Sequence, residues 1–328
     1  MVRPTSWALV PSGPGASVLE IIGRRGLAVA AGLVVDRLVG EPSAPLHPVV
    51  WFGRVMRRVE GSTYGDGRGW GSLHAAIGVA LGMGAGGLVG STAAATAVAS
   101  AGRALGRAAT DVADALERGD RVSARRLLPG LVGREPDGLD EREMARATVE
   151  SVAENTVDAV VAPALWALVA GATGALGYRA VNTLDAMVGH RNDRYRRYGW
   201  ASARLDDVAG WVPARTAAAL VAAVRPRQGA QVWRAVCTQA AAHPSPNSGV
   251  AEAAFAGALG LRLGGENRYG DRIEIRSPLG FGRPPEVGDI GRSVALLRDV
   301  TAALAVAMMV TAAAAQSHHA FWGHRQVR

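Results

Sequence analysis

The sequence predicts an all-α, polytopic integral membrane protein with about four or five transmembrane helices and helical polar loops that form a site at one membrane face. Apolar residues lie in long blocks, and the charged residues lie between these blocks. Aromatic residues make up only 5% of the chain, so the apolar content is mostly Ala, Val, Leu and Gly, a bias that suits closely packed membrane helices. Residues 73–101 contain no charge, and about 20 apolar residues are enough to cross a bilayer.

The apolar blocks differ in how clearly they predict a span. Residues 73–101 are the clearest, and their glycines predict tight packing against neighbouring helices. The first block is short and is interrupted by Asp36 and Arg37, and the fourth carries Arg215 inside. In chain order the blocks are 26–39, 73–101, 157–176, 208–224 and 300–315.

The domain organisation predicted from these blocks is simple. Residues 1–25 form an N-terminal extension without the layout of a cleaved signal peptide, and residues 26–328 form one membrane-embedded domain. A charged helical insertion lies at about residues 102–156. We expect two short amphipathic helices there, broken at residues 118–120 and stopped at 129–130, and then a third that begins at Asp140 or Glu141.

The charge composition excludes several kinds of chemistry. The formal net charge is +8 and the chain contains no lysine, so Arg supplies every fixed cation. A Walker A phosphate loop and a Schiff base both need lysine, so both are excluded. The Arg residues are scattered and form no basic face with interleaved aromatics, which argues against nucleic-acid binding. The only cysteine is Cys237, so neither an intrachain disulfide nor a cysteine zinc site is possible.

An acidic stripe precedes the third block. Glu150, Glu154 and Asp158 stand at i, i+4 and i+8, which on a helix places them on one face with a drift of about 40° per step. Three acids on one face repel one another unless Arg or a divalent metal lies among them, and Asn155 offers a further oxygen. Hard oxygen ligands favour Mg²⁺ over zinc. The alternative is a solvated acidic helix terminus that interacts with its own dipole.

A second cluster of polar residues lies between residues 178 and 215. Arg side chains hold phosphate or carboxylate in bidentate fashion, although charge in a loop is often only solvated charge. Two adjacent Asp residues point to different faces of a helix, so we expect at most one in any metal site, and one of them is the nearest partner for Arg215. The cluster contains Asn182, Asp185, Arg191, Asn192, Arg194, Arg196, Arg197, Arg204, Asp206 and Asp207.

A third cluster begins at a proline-rich loop. His243, Ser245, Asn247 and Glu252 would converge near the N-terminus of a helix capped by Asn247 or Ser248, which is a natural anion site. His243 and Ser245 are too close in sequence to favour a nucleophilic triad.

A fourth cluster follows the first apolar block, where Asp36, Glu41 and His47 lie in a loop made rigid by prolines. An ordinary interfacial turn explains it equally well. All four clusters lie at the ends of apolar segments, so we expect them to meet at one membrane surface.

The four clusters together resemble the motifs of a known family, the adenosylcobinamide-phosphate synthases of cobalamin biosynthesis (the CobD/CbiB family). The similarity follows the family's order from about Asp36 to Tyr269, and one departure is Gly210, where Asn is expected. The motifs that carry it are DRLVGEPSAPLHPVVWFG, ESVAENTVDAVVAP, NTLDAMVGHRNDRYRRYGWASARLDDVAGWVPAR and HPSPNSGVAEAAFAGALGLRLGG.

The resemblance implies a multi-pass enzyme of the cell membrane, a carbon–nitrogen ligase. It would join adenosylcobyric acid to (R)-1-amino-2-propanol or its O-phosphate through an amide bond, with ATP as cosubstrate and Mg²⁺ as cofactor. The reaction would pass through an acyl phosphate and give adenosylcobinamide or its phosphate. Expected partners are the lipid bilayer, other late corrin-pathway enzymes and further copies of this chain, and no nucleic acid.

The resemblance also assigns roles to residues of the clusters. The candidate catalytic residues are Glu150, Glu154, Asp206 and His243, with His243 or an Asp as base for the amine. The candidate Mg²⁺ ligands are Glu150, Glu154, Asp158 and Asp207. The candidate substrate-binding residues are Asn155, Asn182, Asp185, Arg191, Asn192, Arg194, Arg204, Arg215, Ser245, Asn247, Glu41 and His47, among which Arg191, Arg194 and Arg204 would clamp the amine phosphate.

Two other functions compete with this expectation. The first is a transporter or carrier of a corrinoid or another anionic solute, which would favour charges near the middle of spans and repeated halves. Most charges here lie at span ends, and no inverted repeat is visible. The second is a membrane scaffold without catalysis, which would leave the clusters at Glu150 and Asp206 unexplained.

Overall fold

A computed structural model describes residues 18–40, 47–132, 138–190, 192–269 and 272–323. The all-α prediction is confirmed, with one small β-hairpin added. The helices are α1 (Val18–Leu38), α2 (Pro48–Thr63), α3 (Arg68–Val89), α4 (Thr92–Ala99), α5 (Gly102–Glu117), α6 (Arg121–Leu127), α7 (Glu141–Thr156), α8 (Ala162–Val188), α9 (Tyr195–Tyr198), α10 (Trp200–Ala209), α11 (Trp211–Val224), α12 (Gly229–Gln239), α13 (Ser248–Leu259) and α14 (Val287–Gly323). The strands are β1 (Leu263–Tyr269) and β2 (Arg272–Leu279).

By length and apolar composition, three helical segments in the described residues are candidate membrane spans, namely Arg68–Val89, Glu141–Val188 and Val287–Ser317, although the second is not one straight helix. A fourth is present if α10 and α11, bent by 41°, count as one span. The polytopic prediction is therefore confirmed, while the first block, now in α1, is not among these segments.

The block at 73–101 is not one helix, contrary to the sequence prediction. Gly90 ends α3 in a left-handed conformation with φ 66°, which glycine adopts without steric cost. The Ser91 hydroxyl then accepts a hydrogen bond from Ala94 N at 3.3 Å and caps α4. A turn glycine followed by a capping serine therefore divides the block, although both parts are apolar.

The glycines of α3 bring its backbone close to α8, as predicted. A Cβ at Gly78 would lie 2.7 Å from Leu184 Cδ1, and one at Gly86 would lie 2.5 Å from the carbonyl oxygen of Ala172. The later glycine thus meets the earlier residue of α8, so the two helices run antiparallel. Small residues at such contacts let membrane helices pack closely.

The segment from Glu141 to Val188 folds back on itself. Helical geometry is lost at Ala170 (φ −126°) and Gly171 (φ 63°, ψ −147°), a conformation that strongly favours glycine. Asp158 and Asn182 would be about 36 Å apart on a straight helix. Their side chains instead lie 3.1 Å apart, from Asn182 Nδ2 to Asp158 Oδ2. The segment is therefore a helical hairpin, with a first arm up to residue 169 and a second arm from 172.

The charged insertion follows the sequence prediction closely. The break between α5 and α6 lies at residues 118–120, where Asp120 Oδ1 accepts from Ser123 N at 3.0 Å and caps α6. Asp140 begins α7 with a capping box, since its carboxylate accepts from Glu143 N and Glu143 accepts from Asp140 N, each at 2.8 Å.

Asp36 joins the end of α1 to the start of α5. Its Oδ2 accepts hydrogen bonds from Gly102 N at 3.1 Å and Arg103 N at 3.4 Å, at a helix start that has no side-chain cap of its own. In return, Arg103 Nη1 donates to the carbonyl oxygens of Arg37 and Leu38 at 2.9 and 2.5 Å. The buried charge predicted as part of a site is therefore a helix cap that reaches across two elements.

The β-hairpin lies in a segment predicted to be a polar loop. β1 and β2 pair antiparallel, with Leu263 opposite Leu279 and Tyr269 opposite Arg272. Arg146 Nη1 and Nη2 donate to the carbonyl oxygens of Gly264 and Glu266, which fastens β1 to α7. The missed signal is the Gly–Asp pair at 270–271 between alternating segments, a typical hairpin sequence.

Candidate active site at the helical hairpin

Five carboxylates, from the two arms of the hairpin and from α10, form an acid cluster, namely Glu154, Asp158, Asp185, Asp206 and Asp207. Asn182 Nδ2 donates to Asp158 Oδ2 at 3.1 Å and lies 3.4 Å from Asp206 Oδ1, so one amide joins two of these acids. The Tyr178 hydroxyl donates to Asp158 Oδ1 at 3.4 Å. Glu154 and Asp185 are close enough to Asp158 and Asp206 to repel them electrostatically. The donors to Asp158 and Asp206 are therefore neutral groups, while Arg204 lies 3.5 Å from Asp207 at the edge of the cluster.

A π-helical turn at Val157–Val161 places Asp158 in this cluster. The turn contains one residue more than an α-helical turn, so the predicted drift of the acidic stripe does not continue through it. π turns of this kind occur frequently at functional sites. Asp158 consequently meets Tyr178 and Asn182 on the returning arm.

Glu150 has a different position from the other two acids of the stripe. Its Oε1 accepts a hydrogen bond from Gly264 N at 2.9 Å and lies 4.0 Å from Arg146 Nε. Its side chain is 5% exposed. Glu150 thus lies against the β-hairpin, whereas Glu154 and Asp158 belong to the acid cluster.

Glu154 links the acid cluster to the third sequence cluster. Its Oε1 accepts a hydrogen bond from the Ser248 hydroxyl at the start of α13. Asn247 is the N-cap residue of α13, as predicted, but its side chain makes no capping hydrogen bond. Ser245 Oγ instead accepts from the backbone N–H groups of Asn247 and Ser248 at 3.3 and 3.2 Å. The loop 243–248 therefore docks on the hairpin.

His243 and Glu252 are buried side by side. His243 Nε2 lies 3.5 Å from Glu252 Oε1, and their side chains are 4% and 1% exposed. Burial lowers the pKa of His243, and the positive charge of Arg276 on β2 lowers it further. His243 Nδ1 lies 3.1 Å from Ser245 N, a contact in which it accepts. Glu252 favours a proton on Nε2, and Nδ1 already accepts from Ser245 N. In this tautomer neither ring nitrogen of His243 has a free lone pair to accept a proton from a substrate.

A cavity of about 840 Å³ opens beside the acid cluster. Among its lining residues are the cations Arg196, Arg204 and Arg215, together with Asp207 and His243. Arg204 Nη1 lies 3.5 Å from Asp207 Oδ2 and 67% of its side chain is exposed, so it retains donors for a ligand. The cavity is thus a basic pocket whose wall borders a group of acids, and its size is in the range of small-molecule sites.

Arg215 has a different partner from the predicted Asp. Its Nη1 donates to Asn247 Oδ1 and to the carbonyl oxygen of Trp211, each at 3.1 Å, and its guanidinium stacks 4.4 Å from the Trp211 ring centre. Asn247 Nδ2 in turn donates to the carbonyl oxygen of Asp207 at 2.9 Å. Asn247 therefore holds the junction between α10 and α11.

Arg194, predicted as a phosphate clamp, is held by Glu60 of α2 and is not among the residues that line the cavity. Its Nη2 donates to Glu60 Oε1 at 2.9 Å, and the Tyr195 hydroxyl donates to the same oxygen at 3.0 Å. The guanidinium also stacks 4.2 Å from the Tyr64 ring centre. The hydrogen bond to Glu60 raises the pKa of Arg194 above its usual value. Arg194 thus anchors the start of α9, on which Tyr195 and Arg196 reach the cavity.

The remaining predicted residues have local roles or lie outside the described chain. Asn155 Nδ2 donates to the Ser151 carbonyl oxygen at 2.9 Å, and Asn192 Oδ1 accepts from Tyr195 N at 2.9 Å. His47 Nδ1 accepts from Val49 N at 3.1 Å and caps α2. Glu41 and Arg191 lie outside the described residues.

The ligand types of the acid cluster suit a divalent cation, but the present positions of these side chains do not. Carboxylate and amide oxygens are the ligands that Mg²⁺ prefers, and Asp158 and Asp206 share only a neutral amide donor. Yet no three His, Cys, Asp or Glu side chains within the described ranges are arranged to hold a metal ion. The Mg²⁺ site therefore stays a prediction, which would require the carboxylates to move together.

Fold and site define a class, a helical membrane protein with a candidate polar site built on a helical hairpin. The CobD/Cbib protein family model matches residues 29–297, and the chain belongs to this family. A Mycobacterium tuberculosis relative named "Cobalamin biosynthesis protein CobD" is 47% identical over 86% of this chain and 94% of its own length. Relatives of the same name from Stutzerimonas stutzeri and Chromobacterium violaceum are 41% and 40% identical over 83% and 81% of this chain and 92% and 89% of their own lengths. No solved structure matches.

Proposed function

We propose that this protein acts in cobalamin biosynthesis in the cell membrane, as an ATP-dependent ligase that joins adenosylcobyric acid to aminopropanol or its O-phosphate. Membership of the CobD/Cbib family supports the pathway. The observation that carries the reaction is the basic cavity beside the acid cluster, because amide ligation must bind anionic groups and remove a proton from an ammonium ion in one place.

The cavity arginines would bind the anionic groups of the substrates. Arg196, Arg204 and Arg215 line one wall, and Arg forks bind phosphate and carboxylate with two parallel hydrogen bonds. Of the arginines proposed from sequence as the clamp, Arg204 lines the cavity, Arg194 does not, and Arg191 lies outside the described residues. We therefore assign the clamp to Arg204 with Arg196 and Arg215. Bound Mg²⁺ would supply positive charge to the phosphates of ATP next to the acid cluster.

An Asp is a better candidate than His243 for the base that accepts the proton of the amine. The ammonium group of aminopropanol must lose a proton before its nitrogen attacks the activated carboxyl, which we propose to be an acyl phosphate. Asp207 lines the cavity, and 30% of its side chain is exposed. His243 lines it too, but its Nε2 faces buried Glu252 at 3.5 Å. We therefore assign proton acceptance to Asp207, and to Asp206 as its alternative.

The test is direct synthesis. Detergent-purified protein is incubated with adenosylcobyric acid, ATP, Mg²⁺ and either aminopropanol or its phosphate, and the amide product is measured by mass spectrometry. We expect product from the wild type and from Asp111→Asn, which alters an exposed acid on α5, and none from Asp207→Asn. Absence of product from the wild type, with corrinoid uptake by proteoliposomes, would favour transport instead.

A further inference from the structure

The junction between α10 and α11 is a bend with a local cause. Pro213 lacks the N–H that would bond to the carbonyl oxygen of Ala209, four residues earlier. Trp166 Nε1, on the first arm of the hairpin, donates to that oxygen at 3.0 Å instead. The neighbouring carbonyl oxygen of Asp207 accepts from Asn247 Nδ2 at 2.9 Å. Side chains from two other elements thus satisfy the last turn of α10.

The Asn247 amide also fixes the direction of Arg215. Its Oδ1 accepts from Arg215 Nη1 at 3.1 Å while its Nδ2 holds α10. Asn247 is 6% exposed, so both bonds are protected from water. Arg215 lines the cavity, with the Trp211 ring on one face of its guanidinium. Without Asn247, the contacts left to this guanidinium within the described ranges would be the ring and one backbone carbonyl of its own helix.

Gly210 makes room for this amide. A Cβ at residue 210 would lie 2.6 Å from Asn247 Nδ2, a distance at which one group must move. The backbone at Gly210 is ordinary right-handed helix, with φ −83° and ψ −10°, so any residue type is allowed there by conformation. Glycine is therefore required by the amide opposite and not by the backbone. A side chain at 210 would point into the place that the amide occupies.

We infer that the Asn247 carboxamide, wedged against Gly210, is a positioning residue that aims Arg215 at a phosphoryl group bound in the cavity. The inference rests on the proposed function for its kinetic readout. Because the amide holds a cation and not the reacting atoms, its loss weakens binding of a phosphorylated substrate and leaves an unphosphorylated one unaffected. An amide supplied from residue 210 would fill the same place from the opposite helix.

The test uses the full-length protein in detergent. Asn247→Ala is expected to raise KM for aminopropanol phosphate by about tenfold or more, as for the loss of a hydrogen bond to a charged group, without changing KM for aminopropanol. Gly210→Asn alone is expected to show a similar defect, because it displaces the amide. The double variant Gly210→Asn/Asn247→Ala is expected to recover most of the lost affinity.

A second measurement does not depend on turnover. Titration calorimetry with inorganic phosphate is expected to show weakened binding in Asn247→Ala and Arg215→Ala. The matched control is Arg234→Ala, which removes an Arg stacked 4.3 Å from Phe281 and absent from the cavity wall, and which should bind phosphate as the wild type does.

The outcomes separate the two hypotheses. Wild-type protein that forms no amide product overturns the proposed function, while the phosphate titration still decides the inference. Unchanged phosphate binding in a folded Asn247→Ala variant overturns the positioning role. The positioning role is also overturned if the double variant and the two single variants melt at the same temperature but the double variant recovers no affinity for aminopropanol phosphate. A purely structural amide would give that result.

Discussion

Glu150 and Asp158 lie eight residues apart on the same arm of the hairpin, but their carboxylates have opposite surroundings. Glu150 accepts a backbone N–H of the β-hairpin and lies near Arg146. Asp158 faces other carboxylates and shares one neutral amide with Asp206. A carboxylate paired with another element holds the fold together. A carboxylate among carboxylates costs stability, and such a cost is typical of sites kept for function.

The largest expected effect comes from Asp158→Asn. The change replaces a carboxyl group that lies among other acids with a neutral amide, so a candidate Mg²⁺ ligand is lost and amide product formation should fall by about 100-fold or more. The melting temperature should rise, because a carboxyl group buried among carboxyl groups costs stability. Product is measured by mass spectrometry and unfolding by thermal melting in detergent. A variant that is both active and less stable would make Asp158 another structural acid.

Asp36→Ala should lower the stability of the fold and leave the catalytic activity unchanged. It removes the acceptor for Gly102 N and Arg103 N at the start of α5, a loss of about 1 to 2 kcal/mol for a helix cap. We expect a lower melting temperature and unchanged activity per folded molecule. Asp36→Asn, which keeps one oxygen, should be intermediate; a loss of turnover at full stability would instead place Asp36 in the site.

Glu150→Gln should have a smaller effect than any change in the acid cluster. The amide keeps an oxygen for Gly264 N and loses only the charge near Arg146. We expect turnover close to wild type, measured beside Glu154→Gln, which should lose it. Equal loss in both variants would show that the stripe acts as one unit, as the sequence alone predicted.

The smallest effect should appear in the pH dependence of stability. The folded protein holds the pKa of His243 below 6.5, so below that pH the unfolded chain takes up more protons and the folded state loses stability as pH falls. The groups around His243 are Arg276, Glu150, Glu154 and Glu252. In His243→Gln, the melting temperature should change less between pH 7 and pH 5 than it does in the wild type. An unchanged slope would show that His243 is not the source.

The fold was predictable wherever one local signal decided it. The Asp140 cap, the break at 118–120 and the apolar core of α14 all follow from residues that are neighbours in sequence. The turn at Ala170–Gly171 was not predictable, because an apolar stretch with three Gly residues has the same sequence pattern whether the helix continues or reverses. The β-hairpin was overlooked although its Gly–Asp signal was present.

The site was predictable in its residue types and less so in their pairing. Acids and arginines near the right positions follow from the sequence clusters. Which Arg is available depends on distant partners, and nothing near Arg194 in sequence points to Glu60. Arg196 belonged to the second cluster without a role of its own, and Arg276 and Tyr178 join the site only because strand pairing and the hairpin turn bring them there.

The turn at Ala170–Gly171 also bears on which side of the membrane the segments that flank the hairpin lie. A chain that enters a bilayer along one arm and returns along the other leaves by the face through which it came. We therefore expect the charged insertion before Glu141 and the loop after Val188 to share one aqueous compartment, which the distribution of Arg between loops did not reveal. A thiol reagent that does not cross membranes should label cysteines introduced at residues 138 and 192 from the same side of sealed vesicles.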